Sequence, residues 1–230
     1  MNLKGILFDF NGTLLFDSDM HVEAFIRTYR HYGLTPPDFE YMMKSFFGKP
    51  NRFIYAENFN PSYTEEELKA FISFKENAYY DVCRELGDGF RLAKGAEEML
   101  NYLKEAGIPY CLATGSEGKT VDFYMEHLGL GRWFEYGKNI VYEDGSFCGK
   151  PAPDIYNIAA ARLGLTPAEC LIFEDATTGI MAANAARAGA VIAVYDEKYP
   201  SPLTDGIYVD RVYHDHCLWK QALADYGILR

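Results

Sequence analysis

Three short runs, Tyr110-Cys111-Leu112-Ala113, Cys170-Leu171-Ile172-Phe173 and Val191-Ile192-Ala193-Val194, are apolar almost throughout, with no polar residue at alternate positions. A strand with one face in water alternates, whereas a strand apolar at every position must be covered on both faces. Between these runs lie segments of helical character that stop at glycine: 96–106 before Gly107, 154–163 before Gly164, and the alanine-rich 176–188 before Gly189. Glycine takes the left-handed conformation that closes a helix. Doubly covered strands alternating with helices predict a parallel sheet with helices on both sides. Gly5-Ile6-Leu7 supplies a first strand, Ile207-Tyr208-Val209 a last short one, and residues 217–226 a closing helix.

Residues 16–88 have a different character. The segment 17–32 is helical and stops at Gly33, and Thr64-Glu65-Glu66-Glu67 is a capping-box start for a long helix reaching Leu86. No convincing strand occurs there. The expected architecture is therefore α/β: a three-layer, Rossmann-like parallel-sheet core formed by 1–15 and 89–230, with an all-helical cap domain, 16–88, inserted after the first strand. Gly87 and Gly89 are candidate hinges. A net charge of −11, from 22 Lys+Arg against 33 Asp+Glu, argues against a nucleic-acid partner. The five cysteines are scattered with no C-x-x-C pair, which removes support for a zinc ribbon or thioredoxin-like chemistry. Cys111 and Cys170 read as small core residues, and reduced thiols suit the cytoplasm. No apolar run approaches the roughly 18 residues of a spanning helix, and Met1-Asn2-Leu3-Lys4 leads straight into the first strand, with no room for a signal peptide. The expectation is a cytoplasmic monomer with no membrane partner.

Candidate chemistry sits at the predicted strand ends, where open α/β sheets place their ligands. Asp9, in Phe8-Asp9-Phe10-Asn11-Gly12-Thr13, follows the first strand. Ala113-Thr114-Gly115-Ser116 closes another strand with hydroxyls and a glycine just before a helix, an arrangement suited to phosphate. In Gly149-Lys150-Pro151-Ala152-Pro153-Asp154 the prolines keep Lys150 out of a helix. Phe173-Glu174-Asp175-Ala176 adds two carboxylates which, beside Asp9, form a set of hard oxygen donors suited to Mg²⁺. Singly, each has an ordinary explanation as a turn, cap or solvated side chain. Their order and placement together favour a site.

These four segments resemble the motifs of the haloacid dehalogenase superfamily, in its helical-cap branch, and the whole chain is similar to β-phosphoglucomutase-like phosphatases. The resemblance implies that Asp9 attacks phosphorus and forms an aspartyl-phosphate that water hydrolyses. Mg²⁺ would be held by Asp9, the backbone carbonyl of Asn11, Asp175, and Glu174 directly or through water. Thr114 and the Gly115 amide, with Ser116 beside them, would hold the phosphoryl oxygens, and Lys150 would bridge them and Asp9. The substrate would be a small phosphorylated metabolite. The motifs are specific for the superfamily and poorly specific for substrate.

Asn11 departs from the pattern. Phosphatases and mutases of the superfamily usually carry Asp there, which protonates the leaving oxygen and deprotonates the attacking water. An amide does neither, and such proton transfer is typically worth about 10²–10⁴-fold. Three explanations follow: a slow phosphatase preferring aryl, acyl or anhydride phosphates; substitution by His21, one turn beyond Asp17 on the first cap helix; or deamidation at Asn11-Gly12. A phospho-ligand-binding or regulatory protein, a phosphomutase and a phosphonoacetaldehyde hydrolase-like enzyme are the alternatives, the last requiring a buried cap lysine among Lys44, Lys49 and Lys75. Gly48-Lys49-Pro50-Asn51-Arg52 resembles the superfamily's specificity loop, so Lys49 and Arg52 are candidate substrate contacts. Lys75 matches a cap lysine of sugar-phosphate enzymes, although a solvent-facing helix charge is the simpler expectation. Phe46-Phe47 and Tyr79-Tyr80 read as cap core.

Overall fold

The structure, a computed structural model, describes residues 3–46, 49, 51–199, 203 and 206–229. Of the residues singled out above, Met1, Asn2, Phe47, Gly48 and Pro50 lie outside these. The chain divides into two compact units, Met1–Phe16 with Arg91–Arg230, and Asp17–Phe90.

The first unit is built on a six-stranded sheet in the order β3-β2-β1-β4-β5-β6, every pairing parallel, with β1 Gly5–Phe8, β2 Tyr110–Glu117, β3 Ile140–Glu143, β4 Cys170–Glu174, β5 Ala190–Val194 and β6 Arg211–Tyr213. The expected α/β core is the one observed. Strands β1, β4 and β5 are buried at every residue, which is why their sequences show no alternation. Helices α5 (Ala96–Glu105), α6 (Gly118–His127), α7 (Asp154–Arg162), α8 (Thr177–Ala185) and α9 (Trp219–Asp225) complete the unit. One buried cluster joins Ile155, Tyr156 and Ala159 of α7 and Ile180 and Ala183 of α8 to Leu7, Ile172 and Val191 of the sheet.

The strand order reverses beside β1, whose neighbours β2 and β4 connect away in opposite directions. Phe8 pairs in register with both Leu112 and Phe173. The residue after Phe8 therefore emerges level with the ends of β2 and β4, in the crevice where doubly wound sheets bind ligands.

Two expectations need correction. The last strand is Arg211–Tyr213, not residues 207–209. Asp210 exchanges hydrogen bonds with Val191, its backbone N–H donating to the Val191 carbonyl and its Oδ2 accepting from the Val191 N–H, both at 2.8 Å, so the ladder begins only after it. The apolar run before it serves as packing, with Ile207 and Val209 set against the core cluster. Strand β3 was not anticipated because its apolar run is only Ile140-Val141-Tyr142.

The second unit contains α1 (Ser18–His31), α2 (Phe39–Ser45), α3 (Asn51–Asn58) and α4 (Glu65–Glu85), with no strand among its described residues. The capping box forms as expected: Thr64 Oγ1 accepts from the Glu67 N–H at 3.2 Å, and Glu67 Oε2 accepts from the Thr64 N–H at 2.7 Å. Phe25, Phe46, Ile54, Tyr55, Leu68 and Phe71 make its core. Tyr79 and Tyr80 are buried as expected. Arg52 lies inside α3, exposed, rather than in a loop. Among the described residues no helix is long and apolar enough to cross a membrane, and all five cysteines are free thiols, with Cys111 and Cys170 buried.

Candidate active site

In the sheet-bearing unit, eight of the expected residues come together, seven at the ends of β1, β2 and β4 and Lys150 from the segment after β3. Asp9 leaves β1 with its backbone N–H donating to the Phe173 carbonyl at 3.0 Å, which continues the strand pairing by one residue and aims its side chain at the crevice. Lys150 Nζ donates to Asp9 Oδ1 at 2.5 Å and also to Glu174 Oε1. Burial works against a charge on this lysine, but Asp9 and Glu174 outweigh it and hold the ammonium well above the ordinary lysine range.

Glu174 is fully engaged. Its Oε1 accepts from Lys150 and from the Tyr156 hydroxyl at 3.0 Å, and its Oε2 accepts from the backbone N–H groups of Asp175 and Ala176, both at 2.8 Å. A carboxylate offers about four acceptor positions, so Glu174 spends its capacity on the lysine and on the turn into α8. Burial first, and then the Glu174 charge, push the Tyr156 phenol well above its ordinary range, which keeps it a donor.

Asp9, Glu174 and Asp175 each present an oxygen within 4.8 Å of the others. Three carboxylates against one ammonium leave two negative charges, which one divalent cation balances, and hard oxygen donors are what Mg²⁺ prefers. Glu174 carries four donors, and Asp9 and Asp175 complete the acidic set. Asp175 Oδ1 accepts from the Thr13 hydroxyl at 3.3 Å. Gly12, at φ 81°, passes so close that a Cβ there would stand 2.1 Å from Asp175 Oδ2. Only glycine allows both that conformation and that approach.

At the end of β2, Thr114 is buried and its Oγ1 accepts from the Ser116 N–H at 3.1 Å, which leaves its hydroxyl proton to donate elsewhere. Gly115 is exposed, with nothing within 4 Å of where a Cβ would stand, so there is space over its backbone. Ser116 Oγ donates to Asn11 Oδ1 at 2.8 Å, and Asn11 Nδ2 donates to the Tyr124 hydroxyl at 2.6 Å.

The remaining candidates belong to the helical unit. Lys75, expected to face solvent, is buried at 4 % exposure. Its Nζ meets His21 Nδ1 and Glu76 Oε1, both at 3.1 Å, and lies 5.2 Å from the Phe25 ring centroid. The ion pair and the aromatic face explain how an ammonium tolerates that position. His21 stacks on Tyr79 with centroids 4.2 Å apart and presents Nε2 to Asp17 Oδ2 at 3.2 Å. Both ring nitrogens of His21 are thus engaged, and Lys75 is held by Glu76 and His21 rather than offered as an amine nucleophile. Lys49 pairs with Glu57 at 2.9 Å on the surface, away from the His21 and Lys75 cluster in its partners.

Sequence reasoning missed four supporting residues. Tyr156 and Tyr124 are helix aromatics like any others in the sequence. Gly179 sits inside α8, where a Cβ would fall 1.6 Å from Glu174 Oε1; a glycine within an alanine-rich helix, five residues past a glutamate, is the signal that was available. His216, far along the chain, is buried with Nε2 at 3.0 Å from the Thr13 carbonyl.

The profile of the haloacid dehalogenase-like hydrolases matches residues 3–187. Protein CbbY of Rhodobacter capsulatus is 28 % identical over 210 residues, spanning 90 % of this chain and 89 % of its own. Fructose-1-phosphate phosphatase YqaB of Escherichia coli (strain K12) is 29 % identical over 193 residues, spanning 81 % and 94 %. A solved HAD hydrolase of family IA, variant 3, from Entamoeba histolytica HM-1:IMSS superposes with a TM-score of 0.85 at 29 % identity, covering 99 % of this chain and 98 % of its own.

Proposed function

The chain belongs to the haloacid dehalogenase-like hydrolases, as a phosphatase, and from that footing we propose that it hydrolyses a small phosphorylated, sugar-like metabolite with Asp9 as the nucleophile. The observation that carries the reading is Lys150 bridging Asp9 and Glu174 beside Asp175, one cation set among three carboxylates at a strand-order reversal. The phosphatase named for fructose 1-phosphate among its relatives supports the substrate class.

In this reading Asp9 attacks phosphorus opposite the leaving oxygen and becomes an aspartyl-phosphate, which water then cleaves. Asp9 and Asp175, the Asn11 carbonyl, and Glu174 through water would hold Mg²⁺. When bound, Mg²⁺ supplies positive charge that lowers the repulsion between a carboxylate and a phosphate dianion. Lys150 contributes the remaining positive charge and orients Asp9. Thr114 donates its hydroxyl, and Gly115 its amide, to the phosphoryl oxygens. Glu174, fixed by Tyr156 and two backbone amides, keeps Lys150 in place.

The test is phosphate release from fructose 1-phosphate and from an aryl phosphate, with Mg²⁺ and with chelator, by wild type and Asp9→Asn. Release that requires both Mg²⁺ and Asp9 is expected. An Asp9→Asn protein releasing phosphate at the wild-type rate would overturn the assignment.

A further inference from the structure

The resemblance to the superfamily gives position 11 the proton transfer of the second half-reaction, and this chain has an amide there. The Asn11 carboxamide is gripped at both ends, by the Ser116 hydroxyl on Oδ1 at 2.8 Å and by the Tyr124 hydroxyl on Nδ2 at 2.6 Å. Neither partner is a base at neutral pH. Tyr124 is itself immobilised, 1 % exposed, with its ring 4.6 Å from that of fully buried Phe10.

The backbone around Asn11 is fixed as well. The Gly12 N–H donates to the Leu15 carbonyl at 2.7 Å, and Leu15 N–H and Thr13 N–H both donate to the Phe10 carbonyl. Deamidation needs the Gly12 nitrogen to swing onto the Asn11 side-chain carbon. Here that nitrogen is bonded elsewhere and the side chain is held from two sides, so the folded protein keeps its amide. Of the neighbouring carboxylates of the core, Glu174 is saturated with donors, and Asp175 is given to Mg²⁺ in the reading above.

The two half-reactions feel this amide differently. Expulsion of an alkoxide from phosphorus needs a proton, whereas expulsion of a carboxylate from an acyl phosphate needs none. Attack of water on the aspartyl-phosphate, in contrast, always releases a proton. We infer that Asp9 takes its phosphoryl group from small acyl phosphates more readily than from sugar phosphates and passes it on to water slowly, so that the core unit carries a long-lived phosphoaspartate whose slow step is hydrolysis. This rests on the assignment of Asp9 as the phosphoryl acceptor. In the first step an Asp9 oxygen forms a bond to phosphorus as the bond from phosphorus to the acyl oxygen breaks. The bonding pair leaves with the carboxylate, and one mixed anhydride replaces another. In the second step water oxygen bonds to phosphorus, the Asp9 carboxylate is released, and one water proton passes to solvent without a side-chain acceptor at position 11.

The experiment uses acetyl phosphate and Mg²⁺ with the full chain. Rapid quenching in acid and intact-mass measurement should find one phosphoryl adduct per protein, absent from Asp9→Asn. Acetate should appear as a burst of one equivalent while inorganic phosphate lags. After removal of donor by gel filtration, the adduct should decay about 10²–10⁴-fold faster in Asn11→Asp than in wild type. The acetate burst in wild type needs no variant, so a poorly folded Asn11→Asp protein leaves the proposal testable. Asp9-dependent phosphate release with neither burst nor adduct would overturn this inference and leave the phosphatase assignment standing. No adduct and no Asp9-dependent release from any donor would overturn both.

Discussion

His216 offers a sharp test of how the loop after β1 is held, because its protonation should be coupled to folding. The side chain is 1 % exposed, and its Nε2 lies 3.0 Å from the Thr13 carbonyl, an acceptor, so Nε2 carries the proton and donates. Among the described residues Nδ1 has no hydrogen-bond partner. Adding a proton there places a charge in the core beside the Phe173 ring, 5.7 Å away between centroids. Burial, partly offset by the bond to Thr13 and by Asp215, lowers the imidazole from 6.5 to about 4. A histidine lowered on folding contributes stability that is complete above its unfolded value and lost as pH falls toward the folded one. The window therefore runs from about pH 6.5 down to about 4, and the whole effect is about 3 kcal/mol. Between about pH 7.5 and about pH 5 wild type should lose about 2 kcal/mol through this residue. His216→Gln retains a donor toward Thr13 and does not titrate. Urea unfolding of both proteins at each pH measures the difference. Parallel pH dependence in the two proteins would refute the reasoning.

Three further substitutions probe the supports of the site. Gly179→Ala puts a methyl 1.6 Å from Glu174 Oε1, and urea denaturation should show a loss of about 1–3 kcal/mol, whereas an unchanged midpoint would mean that Glu174 relocates freely. Tyr156→Phe removes a 3.0 Å hydrogen bond to the Glu174 carboxylate and should cost about 1.5–3 kcal/mol in the same assay, together with a fall in phosphate release. In the helical unit, Lys75→Met keeps the volume but strands Glu76, whose acidity burial opposes and Lys75 sustains; a loss of about 3 kcal/mol is expected, largely recovered by Lys75→Met with Glu76→Gln. Equal stability of the single and double variants would show that the pair contributes nothing.

The core strands were legible because burial on both faces erases alternation, and a run such as Cys170-Leu171-Ile172-Phe173 has no other use in a chain of ordinary composition. The helix ends were legible at Gly107, Gly164 and Thr64, where backbone geometry admits few residues. Strand β3 was not, because an edge strand of four residues, half of them only partly buried, needs little apolar sequence. The last strand was misplaced by a few residues for a related reason: Ile207-Tyr208-Val209 has the composition of a strand, but Tyr208 is 66 % exposed and the ladder waits for Asp210.

For the candidate site, short motifs marked residues that the fold brings together, namely a carboxylate after β1, a lysine kept out of a helix and an acidic pair after β4. They did not locate the groups that hold them. Tyr124, Tyr156 and His216 act through single atoms set 113, 18 and 203 residues from their partners in sequence, so nothing local marks them. Lys75 shows the same limit from the opposite side. Helical spacing and charge place it in solvent, yet Glu76, His21 and the Phe25 ring together make a buried ammonium tolerable. A charged residue's environment is decided by partners that the fold assembles. Asn11 is the case in which both kinds of information are needed: its identity says that no proton can be taken up there, and the hydroxyls of Ser116 and Tyr124 hold it in place as an amide.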